Sequence, residues 1–248
     1  GMPAFNNDEI VIPEFIKLGV SPQDAYQYAA IGCIETAVPG KWGYRCTGMS
    51  FINLARILLA ALEQGRDATS GHVFLHQHQG LSLGNFADFD EVLAAWDRQI
   101  HYYTRKSIEI DCVVDSVLEA QAHDLLCSAL VDDCIERGCT VKSGGAVYDW
   151  VSGLQVGIAN LGNSLAAVRE LIFRQHQLTQ QDLAAALKSD FAGLSGEQLR
   201  QKLINSVAKY GNDVDEVDTL LVRGYQSYID ALKGFHNTRF GRGPIGGG

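Results

Sequence analysis

The chain contains no Cys-x-x-Cys pair among its six cysteines, Cys33, Cys46, Cys112, Cys127, Cys134 and Cys139, so zinc and iron–sulfur sites have no ready anchor and no metal is expected. Scattered over 248 residues, these cysteines read as reduced thiols rather than a disulfide framework. An excess of positive charge is also missing. With 20 Lys and Arg against 29 Asp and Glu, the net charge is −9, which disfavours nucleic acid as a partner. No apolar run approaches the length of a bilayer crossing, Ile57 to Leu62 being typical, so a membrane partner is not expected either. The first residues, Gly1 to Phe5, lack the charged-then-apolar order of a signal peptide, and the expected location is cytoplasmic. No internal repeat is evident, and the only biased segment is the glycine-rich end from Phe240 to Gly248, which reads as loop.

What is present is the composition of an ordinary globular protein, 46% hydrophobic and 20% charged, with patterning that is mainly helical. Ser21-Pro22-Gln23-Asp24 combines a capping serine, a proline at the first helical position and an acid in the first turn. That predicts a short helix running through Tyr26 and Ala29 toward Cys33, which would sit at a helix-to-loop exit. Apolar residues between Met49 and Glu63 recur at helical spacing until Gly65 stops them. Helices are also expected from Asp90 to about Arg105, from Ile108 to Arg137 with a break near His123 and an end at Gly138, over Asn163 to Phe173, Thr179 to Leu187 and Ser195 to Lys209. Thr179 with Asp182, and Ser195 with Gln198, look like helix-start pairs. The stretch Gly144 to Gly162, branched and aromatic residues among glycines, suits a buried strand, and two more are expected near Thr140 to Lys142 and His72 to Leu75.

The element that speaks of chemistry is Gly32-Cys33-Ile34-Glu35, a thiol two residues before a carboxylate, followed by the turn Val38-Pro39-Gly40-Lys41. Read without context, Cys33 is a small hydrophobe and Glu35 a loop carboxylate. His76 and His78 could ligate a metal from one strand face, but no third ligand is identifiable and they read as surface histidines. Cys134 and Cys139 read as packing residues.

The ordered set Phe5-Asn6-Asn7-Asp8-Glu9, Gly32-Cys33-Ile34-Glu35, Val38-Pro39-Gly40-Lys41, Gly144-Gly145-Ala146-Val147-Tyr148, Gly157-Ile158-Ala159-Asn160 and Tyr210-Gly211-Asn212-Asp213 resembles the middle region of glycyl radical enzymes, the pyruvate formate-lyase and glycerol dehydratase-like family. The resemblance covers nearly the whole chain. It implies that residues 1–248 form one partial domain, α/β but predominantly helical, belonging to a ten-stranded barrel built from two antiparallel five-stranded halves. It also implies roles. Cys33 matches the position of the thiyl radical that takes hydrogen from substrate, and Glu35 the carboxylate that accepts a proton from the substrate radical's hydroxyl. Trp42, Tyr44, Arg45 and Thr47, which follow the cysteine loop, are the local candidates for substrate contact. The implied partners are a small polar substrate, an activating enzyme of the radical S-adenosylmethionine type and the glycyl radical portion, with self-association expected of exposed apolar surface. The pocket is expected to be enclosed, keeping water and oxygen from the radicals.

Departures from the family pattern are informative. Pyruvate formate-lyase carries two adjacent cysteines where this chain has Gly32-Cys33, which disfavours pyruvate cleavage and formate C-acetyltransferase activity. Some diol dehydratases carry an aspartate where Thr47 stands. The Arg-Val-x-Gly-Tyr loop that holds the radical is not found, and Leu221-Val222-Arg223-Gly224-Tyr225 has the wrong order, so Gly224 reads as a mid-helix glycine and no cofactor is expected to be bound directly. A radical lyase or dehydratase leads over a noncatalytic binding module of the same fold and a cysteine hydrolase using Cys33 as thiolate.

Overall fold

The structure, a computed structural model, describes residues 6–31, 35–43, 50–77, 80–235 and 245–247. Helix α1 (Asp8–Lys17) starts at Asn7, whose side chain accepts from the Glu9 amide. The Ser21 cap and Pro22 begin α2 (Pro22–Ala25) as the sequence predicts, but the helix lasts one turn. The Gln27 amide already bonds back to the Asp24 carbonyl at 2.9 Å. Tyr28 then turns its ring edge-on to Phe15, and its hydroxyl donates to Asp8 at 2.5 Å. Ala29–Ile31 form strand β1 instead of helix, antiparallel to β2 (Glu35–Ala37), with Ala29, Ala30 and Ile31 opposite Ala37, Thr36 and Glu35. Pairing with the partner strand overrides the helix preference of the two alanines. Cys33 therefore lies, by sequence, between two paired strands and not at a helix exit.

Strand β3 (Phe51–Asn53) replaces the first turn of the helix expected from Met49, and Asn53 caps α3 (Leu54–Leu62) by accepting from the Arg56 amide at 3.1 Å. Gly65 ends this stretch as expected, at φ +83°, its amide reaching Ala60 O at 2.7 Å. The expected strand at His72 to Leu75 is only a single bridge between Arg66 and Val73. Asp67 organises a loop there, accepting from the Thr69 and Ser70 amides and from Arg56. Those donors hold its carboxyl down at about 2.

Helix α4 (Phe89–Gln121) is continuous through the gap expected after Arg105, and the break near His123 precedes α5 (Leu125–Leu130) and α6 (Cys134–Arg137), which ends at Gly138. Cys134 is buried while Cys139 is exposed, so only the first packs as expected. Thr140 to Lys142 is not a strand: Val141–Ser143 form a 3-10 turn, with the Ser143 and Gly145 amides both on Thr140 O. Within Gly144 to Gly162 only β4 (Val151–Val156) is strand, because Gly157, at φ +86°, already starts α7 (Ile158–Val168). A π-helical segment, Arg169–Arg174, extends α7. Thr179 caps α8 (Gln180–Lys188) through the Asp182 amide, as expected. α9 (Gly193–Asn205) starts two residues before Ser195, which is therefore not its cap, because Asp190 and Phe191, at φ +51° and +54°, turn the chain early. α10 (Asp215–Leu232) follows, and β5 (Ile245–Gly247) pairs parallel to Val151–Gly153, so the terminal glycine run is not all loop. Strands β3, β4 and β5 make one sheet in that order.

The chain divides into two compact units. The first, Gly1–Ile52, Arg105–Gln155 and Leu232–Gly248, has a core of Ile12, Phe15, Val20, Ala25, Ala37, Val38, Trp42 and Tyr148. The second, Asn53–Thr104 and Val156–Ala231, buries Leu54, Trp96, Ile100, Leu161, Leu165 and Tyr228 almost completely. Each such side chain contributes about 1.5–3 kcal/mol relative to exposure. Helices α7 and α10 touch through glycine: a Cβ at Gly162 would lie 2.8 Å from Leu221 Cβ, and one at Gly224 2.9 Å from Leu161 Cδ2. Gly224 is the mid-helix glycine the sequence suggests, and its carbonyl accepts from Trp96 Nε1 at 3.0 Å.

Two glycines separate strain from packing. A Cβ at Gly65 would sit 1.8 Å from Leu75 O, whereas Gly40, at φ +72°, has nothing within 4 Å. Gly65→Ala should destabilise by about 2–4 kcal/mol and Gly40→Ala by about 1–2 kcal/mol, since only the first adds a collision to left-handed strain. Urea unfolding midpoints measure the difference.

Candidate active site

Glu35 opens β2 of the β1–β2 pair in the first unit, and Cys33 falls by sequence between the two strands. Glu35 is half-buried and sits opposite Ile31 in the ladder; Gly32, Cys33 and Ile34 lie outside the described residues, as do Tyr44, Arg45 and Thr47. Because Ile31 and Glu35 are ladder partners, about 4.5–5.5 Å separates their Cα atoms, and the three residues between them join two neighbouring chain ends. The strand bearing Ala29–Ile31 is exposed, whereas Ala37 at the base is buried. The hairpin is thus held from below.

What holds it is a turn, a carboxylate and an aromatic cluster. Val38–Lys41 is closed by the Lys41 amide on Val38 O at 3.2 Å, with Pro39 second and Gly40 third at φ +72°, the residue order of a type II turn. The turn aims Lys41 at α2: Nζ donates to Asp24 Oδ1 at 2.6 Å. Tyr148 OH donates to the other carboxylate oxygen at 2.8 Å and accepts from the Ser21 amide at 3.1 Å. The Tyr148 backbone pairs with the same strand, its amide on Lys41 O at 2.9 Å and its carbonyl receiving the Gly43 amide at 2.8 Å. The Lys41 and Tyr148 donors hold the Asp24 carboxyl below the usual carboxylate range, and Asp24 in turn raises Lys41.

Trp42, expected beside the substrate, has its ring in the aromatic cluster under the hairpin. Its centroid lies 4.6 Å from Trp150, 5.4 Å from Phe15 and 5.7 Å from Tyr148. Its buried Nε1 has no partner in the described structure. Sequence reading singled out neither Asp24 nor Tyr148 for this site. Asp24 registered only as a first-turn acid, and the 124 residues separating it from Tyr148 leave no local signal of their bond. The His76 carbonyl accepts from Arg98, and His78 is outside the described residues. Among the described residues no group of three or more His, Cys, Asp or Glu could hold a metal, and no helix is long and apolar enough to cross a membrane.

A sequence pattern described as pyruvate formate lyase-like matches residues 1–245. The chain belongs to that family. It is 74% identical over 247 residues to a protein named "Probable dehydratase YbiW" of Escherichia coli K12, matching 100% of this chain and 30% of the relative. Against the trans-4-hydroxy-L-proline dehydratase of Clostridioides difficile it is 31% identical over 239 residues, 94% of this chain and 29% of that one. The solved glycerol-bound B12-independent glycerol dehydratase of Clostridium butyricum superposes with a TM-score of 0.86 at 31% identity, covering 99% of this chain and 30% of the other. The C. difficile hydroxyproline dehydratase with its substrate bound gives 0.87 at 28% identity, covering 100% and 30%. The chain thus spans about 30% of the length of these relatives and is a portion of the glycyl radical enzyme fold.

The Asp24 contact gives a pH signature. A carboxyl depressed by folding stabilises above its unfolded value, about 3.9, and the contribution is lost as pH falls through the lower folded value. Stability should therefore drop below about pH 4. In Asp24→Asn that drop should be shallower by up to one proton, measured from urea midpoints between pH 5 and 2.

Proposed function

We propose that this region supplies the hydrogen-abstracting cysteine and the proton-accepting carboxylate of a glycyl radical dehydratase acting on a small hydroxylated substrate. The register of the hairpin carries the reading. Glu35 takes the first ladder position after residues 32–34, so the carboxylate opens the strand that directly follows the cysteine segment in sequence, which supports a joint role. The names of the relatives, dehydratases of hydroxyproline and glycerol, support the reaction class.

The glycyl radical, installed by an activating enzyme, supplies one-electron chemistry when present elsewhere in the full-length protein. The exposed outer strand Ala29–Ile31 fits that requirement, because it leaves the hairpin uncovered for a loop from the rest of the protein. Cys33 forms its S–H bond with a hydrogen taken from the carbon bearing a hydroxyl. That hydroxyl is then acidic, and Glu35 accepts its proton. The neighbouring C–O bond breaks, the departing hydroxyl takes the proton from Glu35, and Cys33 returns its hydrogen to the second carbon. The net change is loss of one water. Gly32, standing where pyruvate formate-lyase has a second cysteine, puts no second thiol next to Cys33 in the sequence to carry an acyl group.

In the activated full-length protein, Cys33→Ala should abolish turnover and Glu35→Gln should lower it by about 10²–10⁴-fold, both with the glycyl signal in electron paramagnetic resonance intact. Retained turnover in Cys33→Ala would sink the assignment.

A further inference from the structure

Cys33 lies, by sequence, in the connection of a short hairpin. The hairpin has three ladder pairs, one strand is wholly exposed, and a two-stranded ribbon is marginal by itself. The burial along β2 deepens from Glu35 and Thr36 to Ala37 and Val38, both in the aromatic-lined core.

At that base a side-chain bridge, Lys41 to Asp24, ties the chain entering the hairpin to the chain leaving it. Asp24 stands on α2, five residues before β1, and Lys41 stands four residues after β2. Their contact at 2.6 Å closes a 17-residue loop whose far end is the Cys33 segment. Tyr148 OH occupies the second carboxylate oxygen, so the carboxylate plane is held by two donors from different directions. Tyr148 is itself fixed by its backbone bonds to Lys41 and Gly43 and by its ring against Trp42. The Asp24 side chain is largely buried, while Lys41 keeps part of its side chain in solvent.

We propose that Asp24, Lys41 and Tyr148 are positioning residues that set the direction of the Cys33–Glu35 hairpin and thereby the distance over which Cys33 exchanges hydrogen. This rests on the assignment of Cys33 above. Among the described residues, the side-chain bonds of these three run to one another and to Ser21. They act through the geometry of the strand ends, and misplacement by about 1 Å at a reacting centre costs on the order of 10²-fold.

The test uses the activated full-length protein, with kcat expressed per glycyl radical spin so that losses of folded or activated protein cancel. Lys41→Met and Asp24→Asn should each lower kcat per spin by roughly 10- to 100-fold with KM changed less than about threefold. Lys41→Arg, which keeps a donor within reach of the carboxylate, should recover most of the rate. Tyr148→Phe removes one oxygen and leaves the ring in its cluster, so it carries the test should Asp24→Asn fail to fold. A kcat per spin within twofold of the parent in Lys41→Met and Tyr148→Phe, while Cys33→Ala is inactive, would overturn the positioning role and leave the Cys33 assignment standing. Full turnover in Cys33→Ala would remove both.

Discussion

A single carboxylate, that of Asp24, takes donors from two parts of the chain that have no reason to meet except the fold. Lys41 arrives from the turn after β2, and Tyr148 from more than a hundred residues later. A carboxylate out of water needs such donors, because each oxygen left unpaired would carry its full desolvation cost. Once both are in place, the segments entering and leaving the hairpin cannot move independently. The aromatic cluster of Phe15, Trp42, Tyr148 and Trp150 then fills the space beneath, giving the bridge a low-dielectric floor on which its hydrogen bonds are stronger than in water.

The second unit reaches its order by a different route. Its helices approach through glycines, Gly162 facing Leu221 and Gly224 facing Leu161, and the indole of Trp96 fixes the crossing with one hydrogen bond to the Gly224 carbonyl. A glycine inside a helix costs roughly 1 kcal/mol against alanine. Close packing of fully buried Leu161 and Leu165 offsets it. Gly224 is thus a packing residue in a region whose sequence superficially resembles a radical loop.

Local chemistry in the sequence was readable where the structure is local. Ser21 and Thr179 cap their helices, Gly65 and Gly138 end theirs, and the break near His123 stands where expected. It failed where partners are distant. Ala29 and Ala30 have helical propensity and become strand because Thr36 and Ala37 pair with them. Val141 joins a 3-10 turn because its amide finds the hydroxyl of Ser128, 13 residues away in sequence. Spacing and family resemblance single out Cys33 and Glu35 in the sequence, whereas nothing local there points to the Asp24–Tyr148 bond. That bond crosses most of the first unit's sequence and follows no periodic pattern.

The roles proposed for Cys33 and Glu35, two residues apart in the sequence, require that both face one enclosed cavity. The most direct measurement is an experimental structure of the full-length protein that resolves the Cys33 segment together with the radical-bearing glycine. The account predicts the Cys33 Sγ about 3–4 Å from that glycine's Cα, at the near-contact distance hydrogen transfer demands, with the Glu35 carboxylate opening into the same cavity. A Cys33 Sγ turned into the aromatic core, or a Glu35 carboxylate on the opposite side of the hairpin from the sulfur, would contradict it.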